Sequence, residues 1–564
     1  MFSMGTDISE AAGPPSEESA VPFSRWEKRE KLWVGLVLAV FLVAGVLFLN
    51  PYLTGSDEVC YISIAQKYAR GEIAWAINGY WAPLYSWLLA PLLLAGLPPV
   101  VAYKILTLVA SAFLLLGVHL LSRRFSLRFP RRMIVLLALG PALLFCFSLI
   151  DNGPDILATG LLVAALVVLF DPQYLGLKFS GAWFGALGAA AFLAKSYSLL
   201  FFFGLALFFH LYVFLGAPRG AERKRAIGHF LAGLAVFLGL SGGWLTAVGL
   251  KYGRPTISVS SKVNLYLVSP YSPGIGAHPM MTGGLYPPPD PEAVSAWEDP
   301  TIYLRLYPSW SPFRSGRDWS FWLRNLMRNI QNTALILFRF SPLAPAVLLA
   351  GLILAFFPRR HRILFLAVPT LALYTSGYVA LFVIERYLIL DLVLIVLMGA
   401  YLLELLAGAR RRTLRASIPI LTAAYLAGFL ILPYQYSRLF KDARKGFVVT
   451  RGFTNVELYR LSRTLRFRFM IPPGAKMASN ADYSPTHILA SYLDLKYYGI
   501  MTPRSAPEVN RDELSRCRID YVFYWSPEPA KDGFLATRRE ITRGRTRPLW
   551  VYSLHEEASL QPRI

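Results

Sequence analysis

The feature that most constrains this chain is a series of long, nearly uncharged apolar blocks, near residues 32–50, 100–121, 132–150, 154–170, 179–196, 198–216, 226–250, 333–357, 362–383, 387–407 and 415–433. In hydrocarbon every backbone N–H and C=O must be satisfied within the segment, so such blocks predict transmembrane helices. Composition agrees: 55% of the 564 residues are hydrophobic, 16% are charged, and the mean hydropathy is +0.44. The expected fold class is an α-helical polytopic membrane protein with about eleven spans. Segment 83–97 is apolar but short and interrupted by Pro91, which predicts an interfacial helix.

The net charge of +23 does not imply a nucleic-acid partner, because Lys and Arg sit in short clusters between the apolar blocks. Alternating sides from a cytoplasmic N-terminus puts four clusters on one side: Arg123 to Arg132, Arg219 to Arg225, Arg359 to Arg362, and Arg410 to Arg415. That asymmetry predicts a multi-pass protein of the plasma (inner) membrane. Residues 1–31 read as a cytoplasmic polar tail ahead of a retained anchor, and 32–433 as the transmembrane domain, with outer loops 51–99 and 251–332.

Residues 434–564 read as an extracytoplasmic α/β domain. Helices are expected at 454–469, 486–493 and 511–516, and strands at 476–479, 496–500 and 521–525. The loop 251–332 is too rich in proline to suggest regular structure. Three cysteines, Cys60, Cys146 and Cys517, show no metal spacing, and a Cys60–Cys517 disulfide is conceivable beside the simpler reading of free thiols. Histidines form no ligand pair, and no glycine-rich phosphate loop or GxSxG is present.

Chemistry-bearing residues fall on the predicted outer face. Asp57 and Glu58 follow the first span, whereas the apolar blocks otherwise exclude acids; Ser56 can cap a helix that ends at Gly71. The pair reads either as a helix-dipole complement or as a general base at a membrane-proximal cleft. Tyr80, Trp81, Tyr85 and Trp87 suit an interfacial belt or a sugar face. Asp151 and Asp155 read as caps of the next span, with Asp155 a second acid. Lys195 and Arg386 can hold a lipid phosphate, snorkel, or, for Arg386, pair with Glu385; Tyr387 follows.

The acid pair, the following Tyr-x-Ser-Ile-Ala-x-x-Tyr-Ala-x-Gly helix, and Pro-Leu-Tyr-x-Trp-Leu-Leu-Ala before the second span resemble the GT-C superfamily of integral-membrane glycosyltransferases. The bacterial branch similar to protein O-mannosyltransferases and the lipid A aminoarabinose transferase (glycosyltransferase family 39-like) is the nearer resemblance. It implies an inverting transfer of a sugar from a polyprenyl-phosphate donor to a glycan, lipid or protein acceptor on the extracytoplasmic side. It assigns Asp57 as base and Glu58 as helper or metal ligand. Lys195 and Arg386 match its basic positions and are expected at the donor phosphate; with Glu385 and Tyr387 beside Arg386, and Tyr80, Trp81, Tyr85 and Asp155 from the residue reading above, they complete the candidate substrate contacts. A divalent cation, Mg or Mn, is compatible with it, with Asp57 and Glu58 as candidate ligands. Trp81-Ala82-Pro83-Leu84 departs from the family's His/Lys-Pro-Pro-Leu element, and Lys195 stands where an Arg is usual. The competing class is a multi-pass transporter or lipid-carrier flippase, suggested by the many spans and by the intramembrane polar residues Gln331 and Arg339. A non-catalytic assembly protein is the third reading.

Overall fold

The computed structural model describes residues 28–438 apart from 151, 217–219, 273, 275 and 410, and residues 448–555 apart from 451–452, 503–506 and 532. The expected polar tail lies outside the described residues up to position 27, as does Asp151. The chain divides into two compact units: Met1–Leu49, Lys104–Ala247 and Arg324–Arg438 form the first, and Asn50–Tyr103, Val248–Leu323 and Leu439–Ile564 the second. Both expected outer loops thus fall largely in the second unit, with the C-terminal segment.

This is an integral multi-pass membrane protein. Among the described residues eight helices are long and apolar enough to cross a bilayer. The blocks expected at 154–170 and 179–196 form the shorter helices Gly153–Leu169 and Ser180–Ala194, of 17 and 15 residues. The single span expected at 333–357 is a correction. A helix Gly316–Phe340 and a second, Ala344–Ala355, meet at a bend of 108°. Pro342 sits in the break, where it has no N–H to continue the helix. Sequence hydropathy also missed the first half of Gly316–Phe340 because the face it buries carries Asn325 and Asn329. Their amides donate to Leu381 O (2.8 and 2.7 Å), and Asn329 also to Val379 O (2.9 Å), satisfying carbonyls left over at the end of helix Arg362–Val379.

The most enclosed span is Glu385–Ala407, with 83% of its apolar window buried. It contains Asp391, fully buried and accepting from Thr375 Oγ1 at 2.7 Å, which overturns the expectation that the apolar blocks exclude acids. Backbones approach closely between helices Ser180–Ala194 and Ala221–Lys251. A Cβ on Gly181 would lie 2.3 Å from His229 O, and one on Gly185 2.1 Å from Gly233 O. Small residues four apart permit this contact, the usual device for packing helices in lipid.

The second unit is built on a five-stranded sheet. Strands β1 (Val448–Thr450) and β2 (Phe453–Thr454) form a separate antiparallel pair. Strands β3 (Lys476–Ser479), β4 (Lys496–Ile500), β5 (Tyr521–Trp525), β6 (Arg539–Glu540) and β7 (Leu549–Ser553) lie in the order β4-β3-β5-β7-β6. β3 is parallel to β4 and β5, while β7 runs antiparallel to β5. The three expected strands have their expected bounds, and the expected helices appear as Asn455–Arg468, Tyr483–Leu493 and Pro507–Arg516. Thr454 and Glu457 cap the first of these reciprocally.

The loop expected to lack regular structure instead carries helix Ser260–Leu267 and short helical turns, and its middle runs along the open edge of the sheet. Gly284 N donates to Ile500 O, Tyr286 N to Tyr498 O and Tyr497 N to Val294 O, each at 2.8 Å, which covers the unpaired side of β4. Farther along, Lys67 of helix Ser56–Arg70, with no exposed side-chain surface, pairs with Asp290 Oδ2 at 2.7 Å and with Glu298. Burial alone would push the Lys67 ammonium down, but the Glu298 and Asp290 carboxylates outweigh it and hold it above its usual range. All three cysteines are free thiols.

Two outcomes follow from this packing. Gly185→Ala forces the two helices apart and lowers stability by about 1–3 kcal/mol, whereas Gly140→Ala, whose Cβ meets nothing within 4 Å, leaves it unchanged; thermal unfolding in detergent separates them. Burial also pushes His278 and His487 down to about 3. The unfolded chain therefore takes up protons that the folded unit refuses. Stability contributed above about pH 6.5 is lost as pH falls toward 3, at about 1.4 kcal/mol per pH unit for each histidine. Unfolding curves at pH 7 and 4.5 for wild type and His487→Asn measure this, with a shallower pH slope expected in the variant.

Candidate active site

In the second unit the two adjacent acids have unlike surroundings. Gly55, in extended conformation, is the N-cap of helix Ser56–Arg70, and Ser56 is its first residue, so the expected Ser56 cap is corrected. Gly71 closes the helix as expected, in the left-handed conformation (φ 77°), its N–H bonding Lys67 O and Tyr68 O. Glu58 is fully buried and turned back on its own helix start, its Oε2 accepting from Thr54 N (2.9 Å) and Thr54 Oγ1 (3.1 Å). Asp57 is half-buried, and its Oδ1 accepts from the indole Nε1 of Trp297 at 3.1 Å. The helix start thus uses one acid structurally and presents the other.

The aromatic turn packs around the same tryptophan. Asn78 Oδ1 accepts from the N–H groups of Tyr80 (2.8 Å) and Trp81 (3.0 Å), while Trp81 Nε1 donates to Trp297 O at 3.2 Å. The Tyr80 and Trp81 rings lie 5.6 and 5.5 Å from that of Trp297. Tyr85 is completely enclosed, with its hydroxyl on Tyr103 O at 3.0 Å, so it serves the core in this conformation. Tyr80 keeps partial exposure, and Trp87 lies open with 38% of its surface exposed, as an interfacial aromatic would.

In the first unit the basic candidates come together. Asp155 occupies the first turn of helix Gly153–Leu169, and rather than capping that turn its side chain pairs with Lys195. Lys195 follows helix Ser180–Ala194 in extended conformation, with its ammonium 4.3 Å above the Tyr387 ring. Arg386 Nε is 3.9 Å from the other Asp155 oxygen, and its guanidinium lies 5.6 Å from the Tyr387 ring centre. Tyr387 stacks on Tyr378 at 4.6 Å, which stacks on Tyr197 at 3.7 Å. Glu385 does not pair with Arg386; it binds Arg339 Nη1 at 2.6 Å and accepts from the Tyr436 hydroxyl. That pairing also gives a local partner to Arg339, one of the polar residues that suggested transport.

The candidates therefore form two groups, one within each unit: Asp57 with the Tyr80–Trp81 turn, and Lys195, Arg386 and Tyr387 with Asp155. Sequence reasoning missed Lys67, Trp297 as a partner of Asp57, and Asp391. For Asp391 the signal was available, since it is an acid inside the block 387–407. Of the two candidate ligands of a divalent cation, Glu58 has its Oε2 directed to Thr54 and Asp57 meets Trp297. Among the described residues no three His, Cys, Asp or Glu side chains converge as a metal site.

No model of a protein family matches the sequence, and no curated protein matches it either. Solved structures do match. ArnT from Cupriavidus metallidurans bound to undecaprenyl phosphate superposes with a TM-score of 0.55 at 14% identity, covering 94% of this chain and 99% of that one. Its apo state gives 0.56 at 13% identity, with 95% and 100% covered. The archaeal oligosaccharyltransferase AglB from Archaeoglobus fulgidus, in complex with an inhibitory peptide and a dolichol-phosphate, gives 0.50 at 12% identity, with 88% and 70% covered. The fold of this chain is that of these ArnT and AglB structures.

Proposed function

We propose that the protein is an inverting glycosyltransferase that takes a sugar from a polyprenyl-phosphate donor and passes it to an acceptor hydroxyl or amine on the extracytoplasmic side of the plasma membrane. The observation that carries this reading is the cluster of Lys195 and Arg386 about Asp155 and Tyr387, in a fold shared with structures that hold undecaprenyl phosphate and dolichol-phosphate. Lys195 and Arg386 bring two cationic groups to one place, which suits an anionic headgroup. Arg supplies a planar fork for phosphate oxygens, and Lys a point charge.

In the proposed reaction Asp57 accepts the proton of the acceptor nucleophile. The nucleophile bonds to the anomeric carbon as the bond from that carbon to the phosphate oxygen breaks. The electron pair leaves on the phosphate, whose charge Lys195 and Arg386 neutralise. Phosphate needs no proton to depart, so one base and two cations complete the balance. Asp155 holds the two cations side by side. The acceptor is a glycan, lipid or protein.

The test uses full-length protein in nanodiscs, a panel of labelled undecaprenyl-phosphate sugars, and envelope extracts as acceptors. Asp57→Asn lowers kcat by about 10²–10⁴-fold with donor KM unchanged, and undiminished turnover would remove the base. Lys195→Met and Arg386→Met each weaken donor binding about 10–100-fold, the loss of a charge-assisted hydrogen bond, and Arg386→Lys restores only part. Exchange of the lipid-linked sugar across the bilayer without transfer to any acceptor would replace this reading with a flippase.

A further inference from the structure

The helix that carries Asp57 is fastened to one short segment of the loop at two points. Near its start, Asp57 Oδ1 meets the indole N–H of Trp297 at 3.1 Å. Near its end, buried Lys67 meets Glu298, the next residue of the loop. The segment is itself held on every side. Trp297 N donates to Ser295 Oγ at 3.2 Å, and Ser295 Oγ lies 3.1 Å from His487 Nε2. Ser295 also bridges Tyr497 of β4. Asn78 Nδ2 donates to Glu298 O at 2.6 Å, and Trp81 Nε1 donates to Trp297 O at 3.2 Å. The Trp297 and His278 rings meet nearly perpendicular, 3.9 Å between centres, and only 6% of Trp297 is exposed.

A tryptophan needs none of this to fill a core, and its N–H is satisfied by many acceptors. Here it is spent on the one half-buried carboxylate at the helix start. An indole N–H donates and cannot accept, so it orients a carboxylate without competing for the proton a base must take. We infer that Trp297 is the positioning residue of Asp57, and that Lys67, through Glu298 and Asp290, is the clasp that keeps Trp297 in register. This rests on the reading of Asp57 as the base. Asp57 is then poised by a segment some 240 residues away, and the loop's place on β4 bears on the geometry of the reacting carboxylate.

Trp297→Phe keeps an aromatic ring at the site but removes the N–H together with part of the indole's volume. In full-length protein in nanodiscs with labelled undecaprenyl-phosphate sugars, kcat falls about 10–100-fold, the worth of one hydrogen bond to a charged group. Donor KM stays within about twofold, while the melting temperature falls modestly because the smaller ring leaves a gap. A role in packing alone would lower stability and spare the kcat-to-KM split. A second readout needs no turnover: in protein labelled with ¹⁵N-tryptophan, the indole signal lost in Trp297→Phe moves in Asp57→Ala. If Trp297→Phe does not fold, that signal, assigned with Trp297→Tyr, decides: a shift supports the bond and an unmoved signal overturns it. Wild-type kcat in Trp297→Phe, while Asp57→Asn loses turnover, overturns this inference and leaves the base intact. Full turnover in Asp57→Asn overturns the base itself. Lys67→Met reproduces the loss of kcat at unchanged donor KM, and wild-type kcat there removes the clasp.

Discussion

A lysine with no exposed side-chain surface cannot stay charged without counter-charge, and the second unit is arranged around supplying it. Lys67 takes Asp290 and Glu298 from a loop more than 220 residues away. Removing one member of such a buried set strands the others, a loss of about 3–5 kcal/mol. The loop has few internal reasons to adopt a single conformation, being rich in proline and short of regular structure. It is ordered from outside by three supports of different kinds: backbone bonds to the edge of β4, the buried charge on Lys67, and the aromatic group of Trp81, Trp297 and His278. Each support fixes a different stretch, and Trp297 lies where the last two meet.

Much of this architecture was legible in the sequence, and what was not has a physical cause. Uninterrupted apolar blocks give spans, and short apolar runs between turn residues give β3, β4 and β5 with their observed bounds. The span at 333–357 was misjudged because hydropathy is blind to a break at Ser341-Pro342 and to asparagines that serve as caps for another helix's carbonyls. β7, whose Leu549–Ser553 run is apolar and aromatic, went unread because it pairs antiparallel with β5 after two parallel neighbours, so the alternation of strand and helix did not point to it. The docking of residues 284–294 on β4 depends on partners some 200 residues distant, and no local pattern encodes it.

The candidate site divides in the same way. Residue types and their order along the chain drew attention to Asp57, Glu58, Lys195 and Arg386, but not to how adjacent residues differ. Asp57 and Glu58 are neighbours in sequence with opposite fates, because successive residues on a helix point about 100° apart: one turns inward to Thr54, the other toward Trp297. Glu385 and Arg386 repeat the lesson, since the obvious ion pair does not form and each finds a partner on another element.

That separation matters for the proposed donor site. Had Glu385 paired with Arg386, it would have added a further carboxylate to the charge facing a phosphate. With Glu385 committed to Arg339 and Tyr436, Lys195 and Arg386 meet at Asp155. That carboxylate helps to keep two like charges close at low solvent exposure, and the Tyr387 face adds a weak attraction to both. The stack of Tyr387 on Tyr378 and Tyr197 keeps that face from turning away. In the proposed reaction the departing lipid phosphate also has to be released after each transfer. A cation pair already partly neutralised by Asp155 holds the anion less tightly than a bare pair, so the same carboxylate that assembles the site favours turnover over product capture.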